Sequence, residues 1–355
     1  MKRTRKYVGL DVHQASTVVS VRGESGRVIW RTVLPTEAEA LLEFVGGMQG
    51  SVQVAFEEGT QAQWLYDLLV GVVERVVVCD RRGERRRGNK GDVKDAERLS
   101  EDLWRGRVRP VYHGGGERGL RLKELSRAYR NLVEGSRRAM QRLKALYRAR
   151  GIRTAGRRLY HPARRAEWLG KLEDAGARLR AELLFRELDV LRELREEAKR
   201  ALVAEARRDP AWEVLKTIPY LGPVRLALLL AVMQTPWRFR TKRNLWAYVG
   251  LAVVTQTSSE YDWQDGQAVR RRRPAMTRGL NRNGNRVLKE VFKGAAAAAV
   301  GRPGPFRDFY EGLLERGKRP AMARVTLARK IAAVMLSVWK TGEAFDPAKL
   351  SMQAQ

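Results

Sequence analysis

The sequence predicts an α/β domain at the N-terminus and a mainly α-helical remainder. Short β-branched runs separated by polar, glycine-containing turns occupy the first hundred or so residues. From about residue 117 to residue 208, charged segments carry apolar residues three and four positions apart, as amphipathic helices do. Shorter helical patterns, punctuated by glycine and proline, follow to the C-terminus. We therefore expect three domains, spanning residues 1–113, 117–208 and 209–355.

The first domain contains the elements of one sheet. Apolar alternation and β-branched residues predict strands over 7–12, 17–22, 28–34, 52–56 and 76–79, with helices over 36–44 and 61–70. Thr36 and Glu39 form a T-x-x-E pattern, which predicts a capping box at the start of the first helix. Three strands, helix, strand, helix, strand is the order of a ribonuclease H-like sheet.

The second domain reads as two long helices with a glycine-containing break near 151–156. The apolar positions that illustrate the two runs are Leu122, Leu125, Tyr129, Leu132, Met140, Leu143 and Tyr147, then Leu169, Leu172, Leu179, Leu183, Leu188 and Leu191. Either a hairpin within one chain or pairing between chains would bury such stripes.

The charge of the chain points to a polyanionic partner. A formal net charge of +30 and a pI near 11.0 exceed what solubility requires, and neutralising phosphates releases counterions. Nucleic acid is favoured over an anionic membrane, because the longest apolar run, residues 226–233, is too short to span a bilayer. The basic N-terminal segment lacks the apolar core of a signal peptide, so a cytoplasmic protein is expected.

The composition also limits the chemistry of any metal site. The single Cys79 excludes a disulfide framework and a cysteine-based zinc site. Only three histidines are present, His13, His113 and His161, so a histidine-rich site is disfavoured. A bound metal would be a hard cation held by carboxylate oxygens.

Four carboxylates are candidates for that role. Asp11 lies at the end of the first predicted strand, and Glu57 and Glu58 close the fourth. Asp92 and Asp95 lie one turn apart on a helix after the arginine-rich segment 81–90. The ends of the first and fourth strands of a ribonuclease H-like sheet are adjacent, so these acids could converge and hold a pair of Mg²⁺ ions. Taken singly, each has an ordinary explanation as a turn residue, a solvated acid or a helix cap. His13 is interpreted as a surface or turn histidine.

The C-terminal domain carries a second informative block. The segment 219–223, PYLGP, predicts a tight turn between helices, and a loop with Ser258 and Ser259 follows the segment WAYVGL. The segment 270–289 holds eight Lys or Arg and no acid, which is typical of a solvated or nucleic-acid-facing surface. Gly279 and Gly284, with the asparagines between them, predict a loop that approaches a backbone closely. Serine pairs in loops usually have no catalytic role.

Together these motifs resemble the DEDD-type transposases of bacterial and archaeal insertion sequences, whose members act as bridge-RNA-guided recombinases. The resemblance covers nearly the whole chain. The motifs that carry it are YVGLDVH, FEEG, NKGDVKDAERLSE, IPYLGPV, WRFRTKRNLWAYVGLA, TSS, RGLNRNGNRVLK and FRDFYEGLLERGKRPAMARVTLARKIAAVMLSVWKTGEAFD. The family implies a RuvC-like nuclease domain, a coiled-coil linker and a C-terminal transposase domain with a serine.

The resemblance also implies roles for individual residues. The metal-binding DEDD set would be Asp11, Glu57, Asp92 and Asp95, with Mg²⁺ in a two-metal site and Mn²⁺ as a substitute. Ser258 would be the nucleophile that forms a transient phosphoserine link to DNA. The family has glycine after its serine, whereas Ser259 occupies that position here, so Ser259 is the alternative nucleophile. Glu58 is likewise the alternative to Glu57.

The implied partners are a structured noncoding guide RNA and two DNA duplexes, donor and target. A dimer or tetramer would bring one subunit's carboxylates to another's serine, and the protein would associate with the prokaryotic nucleoid when bound to DNA. Two other interpretations stay open. A metal-dependent structure-specific nuclease would need only the carboxylates and water, and an architectural nucleic-acid-binding protein would need neither. A sugar-kinase-like ATPase is disfavoured, because the Gly/Thr phosphate loop after Asp11 is absent.

Overall fold

In the computed structural model, the described residues are 4–80, 91–114, 116–256, 261–264, 266–270 and 276–351. The chain divides into two compact units, residues 1–114 and residues 115–355. A further division of the second unit near residue 209 stays a prediction.

The first unit is built on a five-stranded mixed sheet. Its strands are β1 Arg5–Val12, β2 Ser16–Arg22, β3 Val28–Pro35, β4 Ser51–Glu57 and β5 Arg75–Cys79, in the spatial order β3-β2-β1-β4-β5. The pairs β1–β2 and β2–β3 are antiparallel, whereas β1–β4 and β4–β5 are parallel. The five strands predicted from β-branched runs are therefore confirmed, and so is the adjacency of the first and fourth strands.

Helices cover both faces of this sheet. They are α1 Ala38–Gly46, α2 Ala62–Leu69 and α3 Asp92–Trp104. The side chains of Val8, Leu10, Val54 and Phe56 pack with α1 and α2 on one face. Ala55 and Val77 pack against Leu99 and Leu103 of α3 on the other face. Because side chains alternate along a strand, each strand residue is assigned to a face by this pattern.

The start of α1 differs from the prediction. The N-cap residue is Glu37, and no side chain caps the helix. The Thr36 hydroxyl instead donates to the His13 carbonyl oxygen at 2.9 Å and hydrogen-bonds the Thr17 hydroxyl at 2.9 Å. The capping box at Thr36 and Glu39 is therefore wrong, because a long-range partner captures the threonine hydroxyl that a local cap would use.

The second unit begins with a helical hairpin. Helix α4 spans Gly116–Arg148, α5 spans Arg165–Leu169 and α6 spans Ala175–Ala206. Leu143, Tyr147 and Phe185 are buried in the core between α4 and α6, and Arg142 Nη2 lies 2.5 Å from Glu187 Oε1 across them. Each fully buried side chain of this size contributes roughly 1.5–3 kcal/mol. The two predicted long helices thus pack within one chain, and the connection between them is longer than the predicted break.

The rest of the second unit is mainly helical, as predicted. Its helices are α7 Trp212–Leu215, α8 Pro223–Met233, α9 Lys242–Val249, α10 Arg286–Val300, α11 Pro305–Glu315, α12 Pro320–Thr341 and α13 Ala348–Ser351. Two two-stranded sheets lie between α9 and α10, formed by β6 Val253–Gln256 with β9 Met276–Leu280 and by β7 Tyr261–Gln264 with β8 Gln267–Arg270. One large apolar core joins α8, α10 and α12. Across the described part of the chain, no helix combines the length and apolar character that crossing a bilayer requires.

Candidate metal centre

Helix α3 lies directly on strand β1 because residue 9 is glycine. An ideal β-carbon on Gly9 would be 2.2 Å from the Ala96 carbonyl oxygen and 2.4 Å from the Ser100 backbone nitrogen. A β-carbon cannot lie this close to backbone atoms to which it is not bonded, so only glycine permits the helix to approach the strand here. The contact brings the N-terminal turn of α3 toward the end of β1, where Asp11 lies.

A buried polar network holds α3 in this position. Ser100 is fully buried, and its hydroxyl donates to the Glu97 carbonyl oxygen at 2.8 Å and lies 3.2 Å from the Ser20 hydroxyl of β2. Arg22 Nε donates to the same Ser100 oxygen at 3.1 Å. Buried polar groups that are satisfied in this way specify one packing arrangement, so the helix is held at a defined rotation.

The first turn of α3 presents Asp92 and Asp95. The N-cap is Gly91, no side chain caps the helix, and Asp95 donates its backbone N–H to the Gly91 carbonyl oxygen. Asp92 is therefore not the N-cap, although acids in a first turn also gain from the helix dipole. The predicted spacing on one helix face is confirmed.

Asp11 and Asp92 meet at His13. The His13 Nε2 atom lies 3.3 Å from Asp11 Oδ2 and 3.6 Å from Asp92 Oδ2. Ligand atoms of these three residues all lie within 4.8 Å of one another. Asp11 is mostly buried, with 16% of its side chain exposed, whereas Asp92 is 63% exposed. The group therefore has a buried end at the sheet and an open end toward solvent.

The charges of this cluster act on Asp11. Burial raises the pKa of the Asp11 carboxyl above its ordinary value, and the like charges of Asp95 and Asp92 raise it further. His13 opposes this by its charge and its hydrogen bond. Asp95 thus lies close enough to Asp11 for its charge to raise the Asp11 pKa. A carboxylate whose ionisation is disfavoured by burial and by neighbouring like charges is frequent at functional sites.

Glu57 lies at the same level on the neighbouring strand. Leu10 of β1 and Phe56 of β4 are register partners, so Asp11 and Glu57 are the next residues on two adjacent parallel strands. Phe56 packs on the α1/α2 face, which places Glu57 on the α3 face with Asp11. Glu58 follows the strand, and its side chain is exposed. The pleat therefore favours Glu57 over Glu58 as the residue facing the cluster.

The sequence-based interpretation of His13 was incomplete. His13 does lie in a turn, where its backbone N–H donates to the Ser16 carbonyl oxygen and its carbonyl oxygen accepts from Thr36. Its ring nevertheless contacts both aspartates. The D-x-H spacing of Asp11 and His13 could have indicated this contact, since residues two apart on a strand face the same side. It was not interpreted in this way because a single histidine in a turn usually has no functional role.

The donor atoms fit a divalent cation. Carboxylate oxygens from Asp11 and Asp92 lie within 4.8 Å of each other, and a cation there would stabilise the ionised Asp11 carboxylate that burial and the neighbouring like charges disfavour. Oxygen donors suit Mg²⁺ or Mn²⁺, and the imidazole of His13 adds a nitrogen at the edge of the group. Among the described residues, the mutually close ligand atoms belong to Asp11, His13 and Asp92 alone. Asp95 follows Asp92 by one turn of α3, and Glu57 shares the α3 face of the sheet with Asp11, but neither is part of that close group.

The serine-bearing segment of the second unit is only partly described. Ser258 and Ser259 lie outside the described residues, as does the arginine-rich segment 81–90. After the serine-bearing segment, the chain returns to the end of α9 at Gly284. An ideal β-carbon on Gly284 would be 2.2 Å from the Gly250 backbone nitrogen. The predicted close approach of this glycine–asparagine loop to a backbone is thus confirmed for Gly284.

Comparisons with known proteins place both regions in one family. A model of the DEDD transposase domain of IS110 elements matches residues 8–149, and a model described as "Transposase IS116/IS110/IS902 family" matches residues 212–311. The first range includes Asp11, Glu57, Asp92 and Asp95, and the second includes Ser258. Together the two ranges cover more than half of the 355 residues.

Curated relatives agree with the family models. Over 142 residues, the chain is 28% identical to an uncharacterized protein of insertion element IS116 from Streptomyces clavuligerus. This matched segment covers 40% of this chain and 32% of that protein. Over 154 residues, it is 27% identical to an uncharacterized protein of insertion element IS110 from Streptomyces coelicolor, with 42% and 35% covered. The matched segments span about a third of the length of these relatives.

Proposed function

Since the chain belongs to the IS110 family of DEDD transposases, we propose that it cleaves and exchanges DNA strands as the recombinase of an insertion sequence. The observation that carries this proposal is the meeting of Asp11 and Asp92 at His13, within electrostatic reach of Asp95. These acids are far apart along the chain and come together only through the packing of α3 on β1.

We assign the first unit to the RuvC-like, ribonuclease H-like fold. The support is the strand order β3-β2-β1-β4-β5, with an antiparallel meander on one side and parallel strands on the other. Asp11 is the penultimate residue of β1, and Glu57 is the last residue of the neighbouring strand β4. In this assignment the sheet supplies two carboxylates and α3 supplies two more.

Asp11, Glu57, Asp92 and Asp95 would hold Mg²⁺, with Mn²⁺ as a substitute. When bound, the metal supplies positive charge at the attacking and leaving oxygens of a phosphodiester. The carboxylates keep this charge at the end of β1. His13 orients Asp11 through its contact with Oδ2.

Ser258 is the proposed nucleophile, with Ser259 as the alternative. The serine hydroxyl oxygen forms a bond to phosphorus, the bond between that phosphorus and one deoxyribose oxygen breaks, and the displaced oxygen leaves as a DNA hydroxyl after taking up a proton. The hydroxyl proton of the serine passes to solvent or to a carboxylate. Reversal of the step by another DNA hydroxyl rejoins strands without an external energy source, because the phosphoserine ester conserves the bond energy.

The partners we propose are donor and target DNA and a structured noncoding guide RNA. The support is the net charge of +30, which is suited to holding several nucleic-acid backbones at once. Sequence choice would lie in base pairing with the guide, with the protein holding backbones by charge. A dimer or tetramer of this chain would assemble through the outer face of α6, where Leu179 and Leu183 are more than half exposed.

The test is to trap a protein–DNA adduct. Purified protein with its co-expressed noncoding RNA, Mg²⁺ and labelled donor and target duplexes should yield a denaturation-resistant adduct and recombinant strands. The Ser258→Ala/Ser259→Ala variant should lose both products while still binding DNA, and Asp11→Asn should do the same. Ribonuclease treatment before DNA is added should abolish exchange.

Other outcomes would replace the proposal. Nicked DNA without an adduct or joined strands, unaffected by the serine substitutions, would identify a nuclease that uses water. Unchanged activity of every Asp→Asn variant would favour an architectural role. An adduct that persists in the double serine variant would reject the serine mechanism.

A further inference from the structure

A concave pocket lies in the helical hairpin of the second unit, apart from the carboxylate cluster. It has a volume of about 330 Å³ and lies between α4, α6 and the connection that joins them. A volume of this size is typical of small-molecule sites and far exceeds that of one water molecule. No carboxylate is among the residues that line it.

The lining has two chemically distinct parts. Arg157, His161, Arg192 and Arg195 provide the polar part, and Met140 and Leu188 provide apolar surface beside it. A nucleotide has the matching composition, because its phosphate pairs with arginine and its base has an apolar face. A simple oxyanion would leave the apolar part unused.

Arg192 is held at the pocket at an energetic cost. Arg192 Nη2 donates to the Tyr160 carbonyl oxygen at 2.9 Å, which fixes the guanidinium at the pocket. Burial lowers the pKa of Arg192, and the neighbouring cations Arg165 and Arg195 lower it further, although Asp189 opposes them. An anion in the pocket would relieve this repulsion.

The acids near the pocket are already engaged. Asp189 Oδ1 lies 3.7 Å from Arg192 Nη1 and also pairs with Arg165. Glu196 lies 3.2 Å from Arg195 and 2.8 Å from Lys199. Among the described residues, no ion pair involves Arg157, which lines the pocket and is exposed. The pocket therefore keeps positive charge available for a ligand.

We propose that this hairpin pocket binds one nucleotide through its phosphate and base. The nucleotide belongs either to a nucleic-acid strand held by the protein or to a free mononucleotide. The first source rests on the proposed function, since a recombinase of this kind holds single-stranded and looped segments. The second source does not.

The experiment compares two double variants with equal charge loss in the full-length protein. Arg157→Gln/Arg195→Gln removes two pocket arginines, whereas Arg180→Gln/Arg186→Gln removes two exposed arginines of α6 that do not line the pocket. Thermal melts establish that both variants fold. Binding of a labelled single-stranded oligonucleotide is measured between about 50 and 200 mM salt, and binding of AMP and inorganic phosphate is measured by calorimetry.

We expect the pocket variant to bind the oligonucleotide at least about tenfold more weakly than the control variant, because two charge-assisted phosphate contacts are lost. Its salt slope should fall by about 1.4 relative to wild type. If AMP binding alone is weakened in the pocket variant, the nucleotide is a free one. AMP should bind more tightly than inorganic phosphate in either case, because only AMP uses the apolar part.

Equal affinities of the two variants for both nucleotide ligands would overturn the pocket assignment. A strand-exchange assay on the wild-type protein separates this failure from failure of the proposed function. If the wild-type protein exchanges strands and both variants bind nucleotide ligands equally well, only the pocket proposal is rejected. If the wild-type protein gives neither adduct nor exchanged strands, the recombinase proposal fails, and the AMP measurement then still decides for or against the pocket.

Discussion

The carbonyl oxygen of Ala96 lies 2.2 Å from the position that an ideal β-carbon on Gly9 would occupy. This contact sets the height of α3 above the sheet. Asp92 lies one turn before Ala96, Asp95 directly precedes it, and Asp11 lies two residues after Gly9. The contact therefore also sets the distance between the carboxylates. A backbone position without a side chain thus positions the candidate metal centre.

Substitution Gly9→Ala should displace α3 and separate the carboxylates. We expect a loss of stability of about 1–3 kcal/mol from overpacking and a fall in DNA cleavage of about 10²-fold from misplaced groups. Chemical denaturation and single-turnover cleavage measure the two effects. The control is Gly23→Ala, whose new β-carbon would meet Ile29 at an ordinary 3.6 Å. Equal stability of the two variants would contradict the packing described here.

Substitution Asp11→Asn should stabilise the metal-free protein at neutral pH. The folded-state pKa of Asp11 is raised, so its ionised form destabilises the fold. The penalty is absent below the ordinary Asp value of 3.8, grows as the pH rises toward the folded-state pKa and is complete above it. We expect the melting temperature with EDTA to rise by about 2–4 °C at neutral pH and to match wild type in acid.

A control separates this effect from a general effect of removing charge. Asp67→Asn on α2 keeps an oxygen that can accept from Gln63 Nε2, so its melting temperature should stay near that of wild type. With saturating Mg²⁺ the order should reverse, because wild type gains stability from a bound ion and Asp11→Asn does not. A lower melting temperature of Asp11→Asn in EDTA would show that the Asp11 carboxylate stabilises the fold.

Substitution His13→Ala should weaken metal binding without unfolding the protein. The imidazole contacts both Asp11 and Asp92, and groups that orient metal ligands typically account for about 10–100-fold in affinity. Calorimetric titration with Mn²⁺ measures the change. His113→Ala, which removes a ring packed against Tyr66, is the control and should bind Mn²⁺ as wild type does. An unchanged affinity of His13→Ala for Mn²⁺ would show that His13 has no role in metal binding.

Substitution Leu179→Lys/Leu183→Lys should disrupt assembly of the chain. Both leucines lie on α6 and are 57% and 53% exposed, so lysines there cost little in the monomer fold. Light scattering after gel filtration should give a smaller species than wild type, with an unchanged melting curve at low concentration. Val70→Lys in the first unit, at a residue 50% exposed, is the control. A monomeric wild-type protein would remove this role from α6.

Much of the fold follows from local patterns in the sequence. The β-branched runs predict all five strands of the sheet, because alternation of apolar residues is a property of a few neighbouring positions. The heptad-like spacing predicts α4 and α6 for the same reason. The Thr36 capping box failed because its pattern is equally local, whereas the hydroxyl found partners at His13 and Thr17.

The sequence by itself determined the cationic character of the chain, the order of its strands and helices, and the acids available at strand and helix ends. Only the tertiary structure decided that His13 contacts Asp11 and Asp92, that Glu57 shares their face of the sheet, and that Gly9 admits α3. Charge and periodicity are carried by residue types at short range. Convergence depends on strand register and on the packing of distant backbone segments, which no local pattern encodes.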